Sequence, residues 1–341
     1  MKILSFIIPA YNSEQFLDKC VRSMLAPEVL SKLEIIIVND GSRDGTAATA
    51  EIFYARYPDV VRLISQENKG HGGALNTGCA AARGKYLKVI DADDWVVTEN
   101  IAAFISCLEQ CESDVVLTHH HTIDIGTGEI RNWQSYPEEF GRAYTFAEIM
   151  PCWRSFERSL TFHGITYRTD FYRQHLHLLS EHVFYEDHEF ATFPCCHAQG
   201  ITPLDLFVYE YRIGDVNQSV SNANQIKRIG HMETVLHRML EIYTQLPDSP
   251  GKDYAAQKIL GVLISYLTTV LLVNPDRKSG RQMAKAQIAF CNTNAPEIHK
   301  IVYKKYQAFR LMNYLHINKK TLDQLIQSRL YIRLMNKQSF R

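Results

Sequence analysis

The sequence lacks several features that define common classes of protein. Its 341 residues carry 37 Lys and Arg against 37 Asp and Glu, so no net charge attracts nucleic acid, and no nucleic-acid module is recognisable. The eight cysteines include no C-x-x-C pair, which argues against a zinc or redox motif of that type. No nucleophile elbow or catalytic triad pattern is present. We therefore expect no nucleic-acid partner and no covalent enzyme nucleophile of that kind.

Long hydrophobic runs are also scarce. The first residues, MKILSFIIPAYN, are apolar for only a short stretch before Pro9, too short for the core of a signal peptide. Residues 259–273, ILGVLISYLTTVLLV, form an apolar run of about 15 residues, whereas a membrane span needs about 20. We expect a buried helix there, with an in-plane or re-entrant membrane segment as the alternative. Together with the scattered cysteines, these features favour a reducing, cytoplasmic location.

What the chain does contain is an ordinary globular composition, 46% hydrophobic and 22% charged, with room for one domain and a smaller unit. Strands are predicted at 3–10, 33–40, 60–67, 85–91 and 114–120, with helices between them. This alternation predicts an α/β fold with a mainly parallel sheet flanked by helices. Further strands are expected within 159–172 and 203–213. Helical patterns dominate from residue 222, so we predict a domain at 1–221 and a helical region at 222–341.

Polar side chains stand where the predicted strands end. Asp40 ends one strand, and Asp91, Asp93 and Asp94 end another. In open α/β sheets, ligands bind just beyond the carboxyl ends of the strands; the alternative for such residues is helix N-capping, which we favour for Ser13 and its like. Paired carboxylates without a nearby cysteine suit Mg²⁺ or Mn²⁺. Because such ions often bind through substrate phosphates, a diphosphate ligand is expected.

A glycine-rich segment, GHGGAL, precedes the carboxylates. Leu75 stands where a dinucleotide-binding fingerprint needs its third glycine, and the later GCAAARGKY has P-loop glycines at the wrong spacing. Gly70, Gly72 and Gly73 would still allow close approach of the backbone to a ligand. His71 is expected to reach a phosphate or a sugar from this loop.

Four blocks together resemble the bacterial family 2 glycosyltransferases: FIIPAYNSEQFLDKCVRSML, EIIIVNDGSRDGT, ENKGHGGALNTGCAAARGKYLKVIDADDW and FYEDHEF. The resemblance covers about residues 3–215. It implies the GT-A fold, a Rossmann-like α/β sheet, together with a nucleotide-sugar donor and Mg²⁺ or Mn²⁺. The helical last third matches nothing that we can assign.

The resemblance also implies a role for individual residues. Asp93 would be the direct metal ligand, with Asp91 facing the ribose or the waters of the metal. Asp187 would be the general base, with Glu186 beside it as a second catalytic candidate. Trp95 and His188 would lie on the acceptor side. The implied donor-binding residues are Pro9, Ala10, Tyr11, Asn12, Asp40, Asn68, Lys69, Gly73, Asp91, Asp94 and Arg212.

The expected function is inverting transfer of a sugar, from a UDP-sugar in the first instance, to a glycan or lipid-linked glycan in surface polysaccharide synthesis. One alternative is an inactive, glycosyltransferase-like scaffold. A sugar nucleotidyltransferase is less favoured, because PAYNSEQF lacks a glycine- and basic-rich loop for a triphosphate. From Glu297 onward the chain carries ten Lys and Arg. These basic helices could contact an anionic membrane from its cytoplasmic face, or simply pack with the basic side outward.

Overall fold

The computed structural model describes residues 1–214 and 222–322. The chain divides into two compact units, one comprising Met1–Gln218 and Pro247–Ala255, the other Ser219–Leu246 and Ala256–Arg341. Residues 215–221 lie outside the described residues, as does the basic segment 323–341. The predicted domain boundary at 221/222 also falls at the edge of an undescribed stretch and stays a prediction.

The first unit is built on a nine-stranded sheet, counted over the described residues. The order is β3-β2-β1-β4-β8-β6-β9-β5, with β7 paired to β6. The strands are β1 (Leu4–Ala10), β2 (Leu33–Asp40), β3 (Val61–Gln66), β4 (Tyr86–Val89), β5 (Trp95–Val96), β6 (Val115–Asp124), β7 (Ile130–Trp133), β8 (Ile165–Arg168) and β9 (Ile201–Ile213).

One half of the sheet is parallel. Strand β1 pairs in parallel with β2 and with β4, and β2 pairs in parallel with β3. Strands β1 and β2 are buried along their whole lengths, as continuous apolar strands covered on both faces should be. The carboxyl ends of β1, β2 and β4 therefore meet at one edge of the sheet, which is the crevice that the sequence predicted.

The other half of the sheet is mixed. Strand β8 runs antiparallel to β4 and β6, while β6 and β9 are parallel. The prediction of a strand across 159–172 was wrong in its extent, because only Ile165–Arg168 is extended and a helix begins at Thr169. A tight turn precedes the strand: a Cβ at Gly164 would stand 2.1 Å from the carbonyl oxygen of Ser159.

Helices cover the sheet and fill the second unit. They are α1 (Glu14–Met24), α2 (Thr46–Arg56), α3 (Gly70–Ala81), α4 (Ile101–Gln110), α5 (Phe146–Ile149), α6 (Thr169–Gln174), α7 (Asp187–Thr192), α8 (Asn222–Lys227), α9 (Ile229–Gln245), α10 (Pro250–Thr268), α11 (Arg277–Asn294) and α12 (Pro296–Tyr314). Ser13 occupies the N-cap position of α1, but its side chain makes no capping hydrogen bond. Instead the N–H of Glu14 donates to Asp44 Oδ2 at 3.2 Å.

The apolar run at 259–273 is part of α10 and of the π-helical turn that continues it to Val273. By length and composition alone, Pro250–Val273 could cross a membrane, and 56% of its most apolar window is buried. A core helix passes the same test. Ile259, Leu263 and Leu267 are fully buried, in keeping with the predicted buried helix.

Candidate active site

Asp40 ends strand β2 and is 2% exposed. Its Oδ1 accepts hydrogen bonds from Gln66 Nε2 at 2.7 Å and from the N–H of Lys69 at 2.9 Å. Its Oδ2 is buried and has no hydrogen-bond partner among the described residues. Since buried polar atoms are nearly always paired in native proteins, this oxygen is an acceptor that suits an N–H group of a ligand.

The other predicted donor residues around Asp40 form the adjoining loops. Pro9 and Ala10 are buried at the end of β1, whereas Tyr11 is 47% exposed. Asn12 adopts a positive φ of 49° and accepts a hydrogen bond from the N–H of Arg43 at 2.8 Å. The contact between Asn12 and Arg43 fixes the loop after β1 beside the loop after β2.

Asn68, Lys69 and Gly73 connect β3 to α3. Asn68 and Lys69 are exposed, and Asn68 Nδ2 donates to the carbonyl oxygen of Asp40 at 3.0 Å. Gly73 is buried in the first turn of α3, and a Cβ there would stand 2.3 Å from Lys69 Cβ. The structure therefore gives Gly73 a packing role beneath Lys69 and leaves contact with a ligand to the exposed pair.

Asp91 and Asp93 follow strand β4. Their side chains are 27% and 38% exposed. Burial and the neighbouring charge of Asp91 raise the pKa of Asp93, because two carboxylates this close repel each other. Burial alone would raise the pKa of Asp91 as well, but the contact with His71 outweighs it and lowers that pKa.

Asp94 does not face a donor sugar, contrary to the prediction. It is 1% exposed. Its two oxygens accept hydrogen bonds from the hydroxyl of Tyr209 at 2.6 Å and from the N–H of Arg212 at 2.7 Å. Burial and the charges of its two neighbouring carboxylates raise the pKa of Asp94 well above its usual range. The residue is an internal anchor that joins the loop after β4 to strand β9.

Arg212 is directed at the carboxylates rather than toward open space. It is 8% exposed, its guanidinium lies 4.4 Å from the ring centroid of Phe16, and one Nη is 3.7 Å from Asp93 Oδ2. A diphosphate that contacted Arg212, as predicted, would therefore lie beside Asp93.

The segment YEDHEF begins helix α7. Asp187 is its first residue and is partly exposed, whereas Glu186 is 3% exposed. Glu189, to which no catalytic role was given, is 1% exposed and accepts hydrogen bonds from the N–H and the hydroxyl of Ser180, both at 2.8 Å. Glu189 therefore holds the segment in place, and Asp187 is the acid of this group that remains accessible to a substrate.

His71 is partly exposed, with 32% of its side chain accessible, and it contacts two carboxyl groups. Its Nδ1 lies 2.5 Å from Glu186 Oε1 and its Nε2 lies 2.8 Å from Asp91 Oδ1. Burial alone would lower the pKa of His71, but the two carboxylates outweigh it and hold that pKa well above its usual range. The expectation that His71 reaches a phosphate or a sugar is not met here, because both ring nitrogens are occupied. For the same reason the buried Glu186 is a poor candidate for a catalytic base.

Two aromatic rings lie near these acids. His163 and Tyr211 stack with ring centroids 4.3 Å apart. Burial lowers the pKa of His163 to about 4, against the opposing charges of Asp91 and Asp187. Burial raises the pKa of Tyr211, and four neighbouring carboxylates raise it further: Asp94, Asp91, Asp187 and Asp93.

The two residues assigned to the acceptor side have different settings. Trp95 lies on β5, and the ammonium of Lys19 is 3.1 Å from its ring centroid. One face of that ring is therefore covered by a cation. His188 is partly exposed in the first turn of α7, next to Asp187. Of the two, His188 is closer in the chain to an accessible acid.

Asp91 and Asp93 fit a hard divalent cation. Both offer carboxylate oxygens at a partly exposed position, and a cation there would relieve the repulsion that raises the pKa of Asp93. Over residues 1–214 and 222–322, no group of three or more His, Cys, Asp or Glu side chains is arranged to hold a metal. Two carboxylates, completed by ligand phosphate oxygens and water, match the habit of Mg²⁺.

The comparison of sequences finds one family. A sequence model of the family described as Glycosyl transferase family 2 matches residues 5–181. The uncharacterized glycosyltransferase EpsJ of Bacillus subtilis is 40% identical over 114 residues, 33% of this chain and 33% of that protein. The chondroitin synthase of Escherichia coli is 34% identical over 158 residues, 45% of this chain and 22% of that protein. The match thus spans a third or less of each of these relatives.

Solved structures show the same fold over more of the chain. S. aureus TarS 1-349 in complex with UDP-GlcNAc has a TM-score of 0.65 at 19% identity, covering 92% of this chain and 89% of that chain. The mannosyltransferase PcManGT from Pyrobaculum calidifontis, in complex with GDP-Man and Mn2+, has a TM-score of 0.53 at 16% identity, covering 91% and 84%. The predicted α/β architecture of the GT-A type is thereby confirmed.

Proposed function

The chain belongs to glycosyl transferase family 2, and on that premise we propose that it transfers a sugar from a nucleotide-sugar donor to a hydroxyl group. The observation that carries the proposal is the link between the two acidic segments of the site. His71 contacts Asp91 Oδ1 at 2.8 Å and Glu186 Oε1 at 2.5 Å, and Glu186 directly precedes Asp187. These acids come from two segments about ninety residues apart. A scaffold would have no need to bring accessible acids together at the ligand-binding edge of the sheet.

The donor would lie across the carboxyl ends of β1, β2 and β4. Asp40 Oδ2, buried and without a protein partner among the described residues, would accept an N–H of the nucleobase. Lys69, whose N–H donates to Asp40 Oδ1, is exposed beside this carboxylate. We propose a UDP-sugar, because uracil presents such an N–H and because a structural neighbour, TarS, binds UDP-GlcNAc.

The chemistry would be a single displacement that inverts the anomeric centre. Asp187 would accept the proton of the attacking hydroxyl, since it is the exposed acid at this place. Asp91 and Asp93 would hold Mg²⁺ or Mn²⁺, and a neighbour with Mn2+ supports this. When bound, the ion would supply charge neutralisation for the departing diphosphate. Arg212, 3.7 Å from Asp93, adds a fixed positive charge beside these acids.

The acceptor would be a glycan or a lipid-linked glycan in surface polysaccharide synthesis. A relative named chondroitin synthase supports a polysaccharide product. The reaction would take place in the cytoplasm, and all eight cysteines are free in the structure, which suits a reducing compartment. His188 and Trp95 stay predictions for the acceptor side.

Helix α12 belongs to the basic end of the chain, and we propose that it contacts an anionic membrane. Ile301 and Leu311 on its surface are 61% and 59% exposed, Leu315 directly after it is 62% exposed, and Lys304 and Lys305 are exposed on the same helix. Exposed apolar residues interleaved with basic ones suit the interface of an anionic bilayer. Co-sedimentation with vesicles of phosphatidylcholine, with and without phosphatidylglycerol, tests this. Binding only to the anionic vesicles supports it, and binding to neither contradicts it.

The activity is tested by release of free nucleoside diphosphate from UDP-, GDP- and dTDP-sugars, with Mn²⁺ and with EDTA. We expect Mn²⁺-dependent turnover of one donor and its loss in Asp187→Asn. If purified protein neither turns over nor binds any donor, the scaffold alternative takes the place of the enzyme. A scaffold would also be indifferent to Asp187→Asn.

A further inference from the structure

His71 contacts one acidic residue from each of the two segments that form the site. Asp91 belongs to the loop after β4, and Glu186 directly precedes Asp187. The imidazole stands between them, with Nε2 2.8 Å from Asp91 Oδ1 and Nδ1 2.5 Å from Glu186 Oε1. Each ring nitrogen therefore contacts one carboxyl group, and the imidazole bridges the two segments.

The backbone around His71 is shaped so that Glu186 can approach. A Cβ at Gly72 would stand 2.2 Å from the carbonyl oxygen of Ser180 and 3.1 Å from Glu186 Cγ. Only glycine at this position lets the segment leading to α7 lie against α3. The N–H of His182 donates to the carbonyl oxygen of Lys69 at 3.0 Å, which ties the same two segments by their backbones.

The position of Glu186 shows that the contact is specific. Its side chain is 4% exposed, and its Oε2 is buried without a hydrogen-bond partner among the described residues. A buried carboxyl group is costly unless it is hydrogen-bonded, and His71 Nδ1 contacts its Oε1 at 2.5 Å. Removing His71 would take this contact away from Glu186, one residue before Asp187.

We infer that His71 is a positioning residue which sets Asp91 toward the donor and, through Glu186, sets Asp187 toward the acceptor hydroxyl. The inference rests on the proposed function, and it adds a coupling between donor binding and proton transfer. With Oδ1 held by the ring, Asp91 presents its other oxygen to the ligand. With Oε1 held by the ring, Glu186 fixes the first turn of α7. We call the contact of Nε2 with Asp91 and the contact of Nδ1 with Glu186 the two arms of His71. Each arm can be removed by a substitution that keeps the other.

Two substitutions each keep one arm. In His71→Asn the side-chain amide nitrogen takes the place of Nδ1, so the Glu186 contact is kept and the Asp91 contact is lost. In His71→Gln the amide nitrogen takes the place of Nε2, so the Asp91 contact is kept. We expect His71→Asn to weaken binding of UDP with Mn²⁺, measured by calorimetry, about tenfold or more, as loss of a partner behind a metal ligand does, with a smaller change in kcat.

We expect His71→Gln to do the reverse, with kcat for donor turnover falling about tenfold or more and the Kd for UDP with Mn²⁺ staying within about twofold. His175→Gln is the matched control, because His175 stacks on Phe171 and His197 and belongs to neither arm. It should leave both quantities unchanged. If both His71 variants change kcat and Kd in the same proportion, the two-arm inference is wrong.

A second measurement needs no ligand and separates this inference from the proposed function. In a double-mutant cycle, the Tm changes caused by His71→Ala and by Glu186→Gln should not add, because the two side chains are in contact. Tm changes that simply add would overturn the inference. If wild-type protein binds no UDP and turns over no donor, the proposed function fails, and the cycle still decides whether His71 and Glu186 are coupled.

Discussion

Lys88 is a buried lysine whose protonation should make the stability of the fold depend on pH. It lies on strand β4 with 0% exposure, and its Nζ donates to the carbonyl oxygens of His163 at 2.7 Å and Ile165 at 3.3 Å. No carboxylate ion pair is found for it in the described part of the chain. Burial lowers the pKa of Lys88 from 10.5 to about 7, since an ammonium in a low-dielectric interior is destabilised.

The sign of the effect on stability follows from proton counting. Between pH 7 and about 10.5 the unfolded chain holds the proton on Lys88 and the folded chain has lost it. The free energy of unfolding therefore rises with pH across this window and falls as the pH drops toward the folded pKa. At a full slope of about 1.4 kcal/mol per pH unit, the lowered pKa implies that Lys88 adds about 2 kcal/mol between pH 7 and pH 9.

The perturbation is Lys88→Met, which removes the titrating group and keeps most of the apolar stem. All three tryptophans of the chain, Trp95, Trp133 and Trp153, lie in the first unit, so tryptophan fluorescence follows denaturant unfolding of the unit that contains Lys88.

We expect the difference in unfolding free energy between wild type and Lys88→Met to change by about 2 kcal/mol from pH 7 to pH 9, with wild type gaining. Lys2→Met is the control, because Lys2 Nζ donates to the carbonyl oxygen of Asp59 in an exposed position. Its difference from wild type should be the same at both pH values. A difference for Lys88→Met that does not change with pH refutes a neutral, buried amine.

Three further predictions concern the site and the segment that holds it. Asp187→Asn should lower kcat for donor turnover by about 10²- to 10⁴-fold and leave UDP binding intact; a variant with full kcat contradicts its role as base. Glu189→Gln should lower the free energy of unfolding by about 1.5–3 kcal/mol, because its carboxylate accepts both hydrogen bonds of Ser180; an unchanged denaturation midpoint would oppose this. Gly72→Ala should lower the free energy of unfolding by about 1–3 kcal/mol through overpacking. Gly261→Ala is the control and should not destabilise the protein, because a Cβ at Gly261 meets nothing within 4 Å. Equal denaturation curves for the two variants would rule out the close approach at Gly72.

The parallel half of the fold was predictable from the sequence. The runs that became β1 and β2 are continuous and apolar, and each is followed by polar residues and a helix. Local pattern was therefore enough to place Asp40 and Asp91 at the same edge of the sheet. The mixed half was less predictable, because β8 is only four residues long and its antiparallel partners are distant in the chain.

The roles of individual polar side chains could not be predicted, because they depend on partners far away in sequence. Asp93 and Asp94 look equivalent in the sequence. In the structure, however, Asp94 accepts a hydrogen bond from the hydroxyl of Tyr209, which is 115 residues later in the chain. The sequence predicts His71 as a ligand-binding residue, whereas in the structure its Nδ1 contacts Glu186, also 115 residues away. Tyr209 and Tyr211 are two residues apart on β9, so their side chains lie on the same face of the sheet. This spacing in the sequence could have identified both as candidate residues of the site.

The most direct test of the central claim is a calorimetric titration of the purified protein with UDP, GDP and dTDP, in Mn²⁺ and in EDTA. The account predicts that one of these nucleotides binds in a 1:1 ratio only when Mn²⁺ is present. It also predicts that Asp93→Asn loses this binding while its Tm stays near that of wild type, because the Asp93 side chain is 38% exposed. Binding of none of the three nucleotides by folded wild-type protein, or undiminished binding by Asp93→Asn, would contradict it.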